Sequence, residues 1–207
     1  MARVKKIGVL GGAFNPPHFG HLKIARVALK KLKLDKVIFI PAGIQPLKER
    51  RSEMASAKER LEMTKILIGK NPKFEISDYE IKKKGKSFTI ETIKHLKRKY
   101  KKAQIYWIVG EDSLREIVEG KWKGKLKVLD LAKFVVFSRP SHKFVLKNLP
   151  KKYEKNKKIA LKKVIFVDAK IPISATEIRE RIKKGQKVEK FLPKKVLEYI
   201  KEKRLYV

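Results

Sequence analysis

The chain has 207 residues, 43% of them hydrophobic, with two Trp, six Tyr and ten Phe; that is enough for one sizeable core and too apolar for a disordered protein. Its 55 Lys and Arg against 21 Asp and Glu give a formal charge of +34, which suits nucleic acid, anionic membranes, phosphorylated small molecules or simply a solvated lysine-rich surface. With no Cys, disulfides and thiolate metal sites are excluded, and with no run of about 18 apolar residues and no secretory signal pattern the expected location is cytoplasmic.

Val4 to Leu10 alternates loosely and runs into Gly11-Gly12, after which Leu22, Ala25, Leu29 and Leu32 recur at helical spacing. This pattern predicts strand, glycine loop, helix. A short apolar strand at Val37 to Ile40 stops at Pro41, and helical periodicity returns from Ala55 to Ile68. Phe74 to Ile76 reads as a strand, Thr89 to Tyr100 as a basic amphipathic helix, and Ile105 to Val109 as a buried strand of the parallel type. Further strands are expected at Phe134 to Phe137 and Val164 to Val167, and helices at Thr176 to Lys183 and Lys194 to Lys203. Asn148 to Lys163 is a lysine run with a single Glu, expected to be a mobile surface connection or an insertion. The alternation predicts an α/β fold, a Rossmann-like open parallel sheet with helices on both faces, as a single domain over 1–207.

Gly11-Gly12-Ala13-Phe14-Asn15-Pro16-Pro17-His18-Phe19-Gly20-His21 falls between the first strand and the first helix, where open α/β sheets bind their ligands. Two residues without Cβ let backbone N–H groups approach a phosphate, and a helix start adds positive partial charge. Gly8, Gly11 and Gly12 do not have the G-x-G-x-x-G spacing of a dinucleotide turn, and Gly85-Lys86-Ser87 lacks the earlier glycine of a phosphate loop, since Glu80 stands there. His18 and His21, three residues apart, share a helix face if the helix begins near His18, and both could then touch one phosphate chain. Surface or cap histidines are the alternative. A zinc site needs a third ligand, and only His95 and His142 remain, both in lysine-rich stretches.

Ile173-Ser174-Ala175-Thr176-Glu177-Ile178-Arg179 opens a predicted helix, with Ser174 and Glu177 at capping-box spacing. Its hydroxyls, N–H groups and guanidinium equally suit an anion at a helix start.

The first of these segments resembles the signature of the HxGH nucleotidyltransferase superfamily, and the second resembles its I-S-x-T-x-x-R partner, with Ala175 where a second Ser is usual. The resemblance implies that His18 and His21 bind the ATP phosphates and stabilise charge as the α-phosphate is attacked. Gly11, Gly12, Ala13, Phe14, Ile173, Ser174, Thr176 and Arg179 would complete the ATP site.

Over nearly the whole chain the sequence is similar to bacterial nicotinate-nucleotide adenylyltransferases. Ser87-Phe88-Thr89 matches their S-Y-T, Gly110-Glu111-Asp112-Ser113-Leu114 their G-x-D-x-L, and Trp122 the tryptophan that follows, while the ending from Phe191-Leu192-Pro193 to Leu205-Tyr206 is also similar. A nicotinate mononucleotide site is thereby implied at Asn15, Lys48, Thr89, Asp112, Trp122 and Arg139. Trp122 offers a flat face to a pyridine ring, N–H donors near Thr89 could read its carboxylate, and Asp112 at a strand's carboxyl end could accept from a ribose hydroxyl. Arg139, in an R-P step, could bind the mononucleotide phosphate. Gln45-Pro46-Leu47-Lys48 stands where the family has P-P-H-K, with Leu47 in place of the histidine, and Glu111 replaces a usually small residue beside the aspartate.

The implied reaction is attack by the mononucleotide phosphate on the ATP α-phosphorus, with pyrophosphate leaving and deamido-NAD formed. His18, His21, Lys48 and Arg179 would be the catalytic donors. Mg²⁺ is expected with ATP, held mainly by the phosphates, and no protein metal ligands are named. Two alternatives remain. A sister enzyme such as pantetheine-phosphate adenylyltransferase shares both signatures but is shorter and has Thr at the position of His18. A basic nucleic-acid-binding α/β protein would account for the charge but leaves both segments unexplained, so neither nucleic acid nor membrane is an expected partner.

Overall fold

In a parallel sheet covered on both faces a strand has no polar side, and the first strand shows it: Ile7, Val9 and Leu10 are all buried. The computed structural model describes residues 4–47, 54–83, 85–138, 146, 148–169 and 171–207. Among them six parallel strands form one sheet: β1 (Lys6–Gly12), β2 (Lys36–Pro41), β3 (Phe74–Ile76), β4 (Gln104–Gly110), β5 (Lys133–Ser138) and β6 (Val164–Asp168). Their order is β3-β2-β1-β4-β5-β6. The chain therefore works outward from β1 in one direction, returns, and works outward again from β4. Between β1 and β4, with Leu10 opposite Ile108, lies the crevice where such sheets hold ligands at the strands' carboxyl ends.

Alternate residues of the central strands feed two cores. Leu10, Phe39, Ile108, Val135 and Phe137 meet α1 (Phe19–Leu32), α2 (Ala57–Ile68), α7 (Ala175–Lys183) and α8 (Lys194–Glu202) on one face. On the other, Val9, Ile40, Trp107, Phe134 and Val136 meet α4 (Thr89–Lys99), α5 (Glu111–Val118) and α6 (Glu154–Lys163). The short α3 (Tyr79–Lys82) precedes α4, and a 3-10 stretch at Lys125–Asp130 leads into β5. Gly8 is required by this packing: a Cβ there would lie 2.7 Å from the Leu34 side chain.

Every strand and long helix expected from periodicity is present. Three expectations are corrected. The lysine run at Asn148 to Lys163 is not a loose insertion, because residues 154–163 form α6, whose Ala160 is fully buried; that residue and Asn156, which donates from Nδ2 to the Val118 carbonyl (3.0 Å), seat a helix that carries five Lys. A capping box is formed instead at Ser56 and Glu59, where Ser56 Oγ accepts from the Glu59 N–H (3.2 Å) and Glu59 Oε2 from the Ser56 N–H (2.7 Å). Ser174 is the N-cap of α7, but its hydroxyl makes no cap bond, and Glu177 pairs instead with Arg181 at 2.9 Å. α5, which directly follows β4 and ends after eight residues, was not expected as a helix.

Arg60 on α2 is 2% exposed and holds the strand ends together. Its Nη1 donates to the Ala13 carbonyl (2.6 Å), its Nη2 to those of Ala42 (2.7 Å) and Gly43 (3.2 Å), and its Nε to that of Ala55 (3.1 Å). Burial pushes its pKa down. Removing the fork strands several buried acceptors, so Arg60→Met should cost about 3 kcal/mol, lowering the melting temperature in calorimetry by roughly 10 °C. A melting point within about 2 °C of the parent would mean that the carbonyls find other donors.

Candidate active site

The chain leaves β1 at Gly12 and must reverse into α1 within six residues, and several local constraints fix how it does so. Phe14 has φ +50°, a left-handed conformation that large side chains rarely adopt, and is 2% exposed. The Asn15-Pro16 peptide is cis. Asn15 is buried, and its Oδ1 accepts from the Ala55 N–H (3.1 Å) and the Tyr206 hydroxyl (2.7 Å). The acceptor side of Asn15, implied as a mononucleotide ligand, is thus occupied within the protein.

His18 is the N-cap of α1 and His21 lies in its first turn, with the imidazole centroids 3.8 Å apart. Face sharing is therefore met, although His18 itself is extended rather than helical. The His18 N–H donates to His21 Nδ1 at 3.1 Å, so the ring proton of neutral His21 sits on Nε2 and makes that atom a donor. Burial lowers its pKa from the ordinary 6.5 to about 4. The ring also packs on Phe14, with centroids 4.8 Å apart. Gly20 permits the arrangement, since a Cβ there would meet the His18 ring at 2.8 Å and Ile171 at 3.0 Å.

That contact with Ile171 brings the two sequence signatures together. Arg179 on α7 is buried, donates from Nη1 to the Asn15 carbonyl (2.8 Å) and from Nη2 to Thr176 Oγ1 (3.4 Å), and has no hydrogen-bond partner at Nε. Among the described residues no carboxylate neutralises it. Ser174 and Ile173 precede the helix, whose first N–H groups have no intrahelical acceptor. Segments some 150 residues apart in sequence thus meet at the carboxyl end of β1, bringing imidazole, guanidinium and N–H donors together. Such a set of donors suits a phosphate.

The other expected residues divide. Thr89 is the first residue of α4, and the Trp122 segment lies beside that helix start: Lys123 pairs with Glu91 at 2.6 Å and sits 4.4 Å from the centre of the Phe88 ring, while a Cβ on Gly124 would meet Ile90 at 3.0 Å. Trp122 is half-buried, and its indole N–H donates to Glu116 Oε2 at 2.9 Å, which fixes the ring rather than leaving it as a free surface residue. Ser87 joins this part to β2, accepting from the Gly43 N–H at 2.9 Å. Asp112 is exposed in the first turn of α5, just past the carboxyl end of β4, and Gly110 rather than Asp112 is the cap. Lys48 and Arg139 lie outside the described residues. Sequence reasoning missed Arg60, although Arg60, Met63, Thr64 and Leu67 stand at helical spacing on the buried face of α2; a charge on such a face is the legible signal.

Residues 9–181 match the cytidylyltransferase-like family. The chain is 43% identical to a probable nicotinate-nucleotide adenylyltransferase of Clostridium tetani, covering 98% of this chain and all of that protein. It is 40% identical to another of the same name from Clostridium acetobutylicum, covering 99% and 100%. The chain belongs to the cytidylyltransferase-like family, and within it to the nicotinate-nucleotide adenylyltransferases. The fold matches that of the nicotinic acid mononucleotide adenylyltransferase of Plasmodium falciparum, solved with NaAD, with a TM-score of 0.75 at 19% identity over 98% of this chain and 97% of that one.

The lowered His21 pKa gives a signed expectation. Between about 6.5 and 4 the unfolded chain takes up a proton that the folded chain does not, so the stability contributed by this histidine is complete above pH 6.5 and is lost as the pH falls towards 4. Imidazole NMR of the free protein should show the neutral Nε2–H form at pH 7 and a midpoint near 4, shifted upward when a triphosphate binds. A midpoint at 6.5 would show that the ring is not buried as described.

Proposed function

We propose that the chain transfers the AMP part of ATP to the phosphate of nicotinate mononucleotide, giving deamido-NAD and pyrophosphate. The observation that carries this reading is the meeting of His18, His21 and Arg179 at one junction, where the loop after β1 and the start of α7 together offer imidazole, guanidinium and N–H donors. Full-length relatives of the same name support the choice of substrates.

The chemistry asks little of the protein beyond position and charge. One oxygen–phosphorus bond forms between the mononucleotide phosphate and the α-phosphorus, and the bond from that phosphorus to the bridging oxygen of pyrophosphate breaks, so no protein nucleophile is needed. Two anions that repel each other must be held in line, and charge on the transferring group must be met by fixed donors. In this reading His21, neutral, presents Nε2–H to the phosphate oxygens, and Arg179, held in place by Asn15 and Thr176, supplies charge. Gly11, Gly12, Ala13, Phe14, His18, Ile173, Ser174 and Thr176 line the ATP side. Lys48 adds a further cation to the triphosphate, and Arg139 meets the mononucleotide phosphate.

Trp122 and the N-terminus of α4 at Thr89 take the pyridine ring and its carboxylate, and Asp112 takes a ribose hydroxyl. Asn15 serves this site chiefly through the loop it anchors. In the same reading Mg²⁺ comes with the substrate, carried on the ATP phosphates and water. Among the described residues no helix is long and apolar enough to cross a membrane, and the same reading places the enzyme in the cytoplasm as one adenylyltransferase domain.

Pyrophosphate release from ATP should be fastest with nicotinate mononucleotide, slower with nicotinamide mononucleotide and absent with phosphopantetheine; preference for the last would overturn the assignment in favour of the sister enzyme. His21→Ala should cut kcat by at least roughly a hundredfold, the scale of a lost transition-state donor. Turnover near the parent rate would remove that ring from the mechanism.

A further inference from the structure

Beyond α8 the chain makes a tight return, with the Arg204 N–H on the Lys201 carbonyl (3.1 Å) and the Leu205 N–H on that of Ile200 (3.0 Å). Arg204 and Tyr206 have φ of 47° and 66°, a left-handed backbone that residues with bulky side chains avoid and that persists where the surroundings hold it. What it achieves is the burial of Tyr206, 6% exposed, with its hydroxyl 2.7 Å from Asn15 Oδ1. Asn15 is 191 positions away in sequence.

Asn15 belongs to the first signature and is held by Arg179 of the second. Its side-chain oxygen takes hydrogen bonds from Tyr206 and from the Ala55 N–H, and its main-chain oxygen takes the Arg179 guanidinium. The Ala55 carbonyl is in turn fixed by Arg60, which also holds Ala13. Three residues after Asn15 comes His18. The phenol stands near both buried guanidinium groups, and burial raises its pKa well above the ordinary value, so it remains a donor.

We infer that Tyr206 is a positioning residue of the reaction, whose hydroxyl fixes the Asn15 side chain and thereby the loop that carries His18 and His21 and the seat of Arg179. The inference rests on the adenylyl-transfer reading given above. A tail that only covered the core would need the ring of Tyr206 and not its hydroxyl. A tail that sets the loop needs the hydroxyl, and its loss would loosen reacting groups that tolerate little displacement.

Tyr206→Phe separates the two in the full chain. Its melting temperature should stay within about 3 °C, its KM for nicotinate mononucleotide within about twofold, and its kcat should fall about tenfold, the misalignment of donors acting on the transition state. The imidazole resonances of His18 and His21 should move in the same variant, a readout that requires no turnover. In an Asn15→Ala background the substitution should lower kcat no further, as expected when two groups act as one unit. An unchanged kcat with unmoved histidine resonances would overturn the inference. So would a loss that is fully retained in the Asn15→Ala background, or a Tyr206→Phe chain that melts more than about 10 °C lower. If the parent chain released no pyrophosphate from ATP and nicotinate mononucleotide, the function would fail, while the histidine resonances would still decide the role of Tyr206.

Discussion

The loop after β1 must bury polar backbone beside a binding crevice, and water cannot be the partner of those groups if ligands are to be gripped. The structure answers with internal hydrogen bonds at Asn15. Tyr206 and the Ala55 N–H serve its side chain, Arg179 serves its carbonyl, and Arg60 closes the circuit through Ala55 and Ala13. A buried hydrogen-bond network rigidifies the backbone it holds, and in this one Arg179 Nε is left without a protein partner. The loop is thus preorganised, and the two histidines at its end inherit that rigidity because His18 caps α1 and donates its N–H to His21.

Electrostatics follows from the same arrangement. Arg60 and Arg179 are both buried, and among the described residues the hydrogen bonds they make go to carbonyl or hydroxyl oxygens rather than to carboxylates. Dipoles stabilise the cations without cancelling their charge, so positive potential remains for phosphate to meet. By contrast, pairs such as Lys123 with Glu91 or Lys163 with Asp130 lie towards the surface, where ion pairs contribute little. The large net charge can draw anionic substrates towards the protein; in the proposed function the few buried cations decide where they bind.

The two halves of the sheet divide the proposed work. In the proposed function β1 and α7 assemble the triphosphate side. β4 and the helix starts at Thr89 and Glu111 form the other side, with Trp122 fixed by its bond to Glu116 and its loop tied to α4 by Lys123. Because all six strands are parallel, the loops after β1, β2, β4 and β6 open on one edge, and reversal of strand order between β1 and β4 separates them enough to admit a ligand.

The amino-acid sequence alone determined the six strands and the helices α1, α2, α4, α7 and α8, because strands buried on both faces read as short apolar runs and amphipathic helices repeat at 3.6, and it displayed both signatures as short contiguous runs. It could not show that Ala160 seats the lysine-rich α6, that Ser174 leaves its hydroxyl out of any cap, or that Asn15 is an anchor. Nor could it single out Arg60 and Tyr206, whose partners lie far away along the chain. These features depend on which backbone oxygens come to lie beside which donors once the sheet has closed, and such proximity exists only in three dimensions.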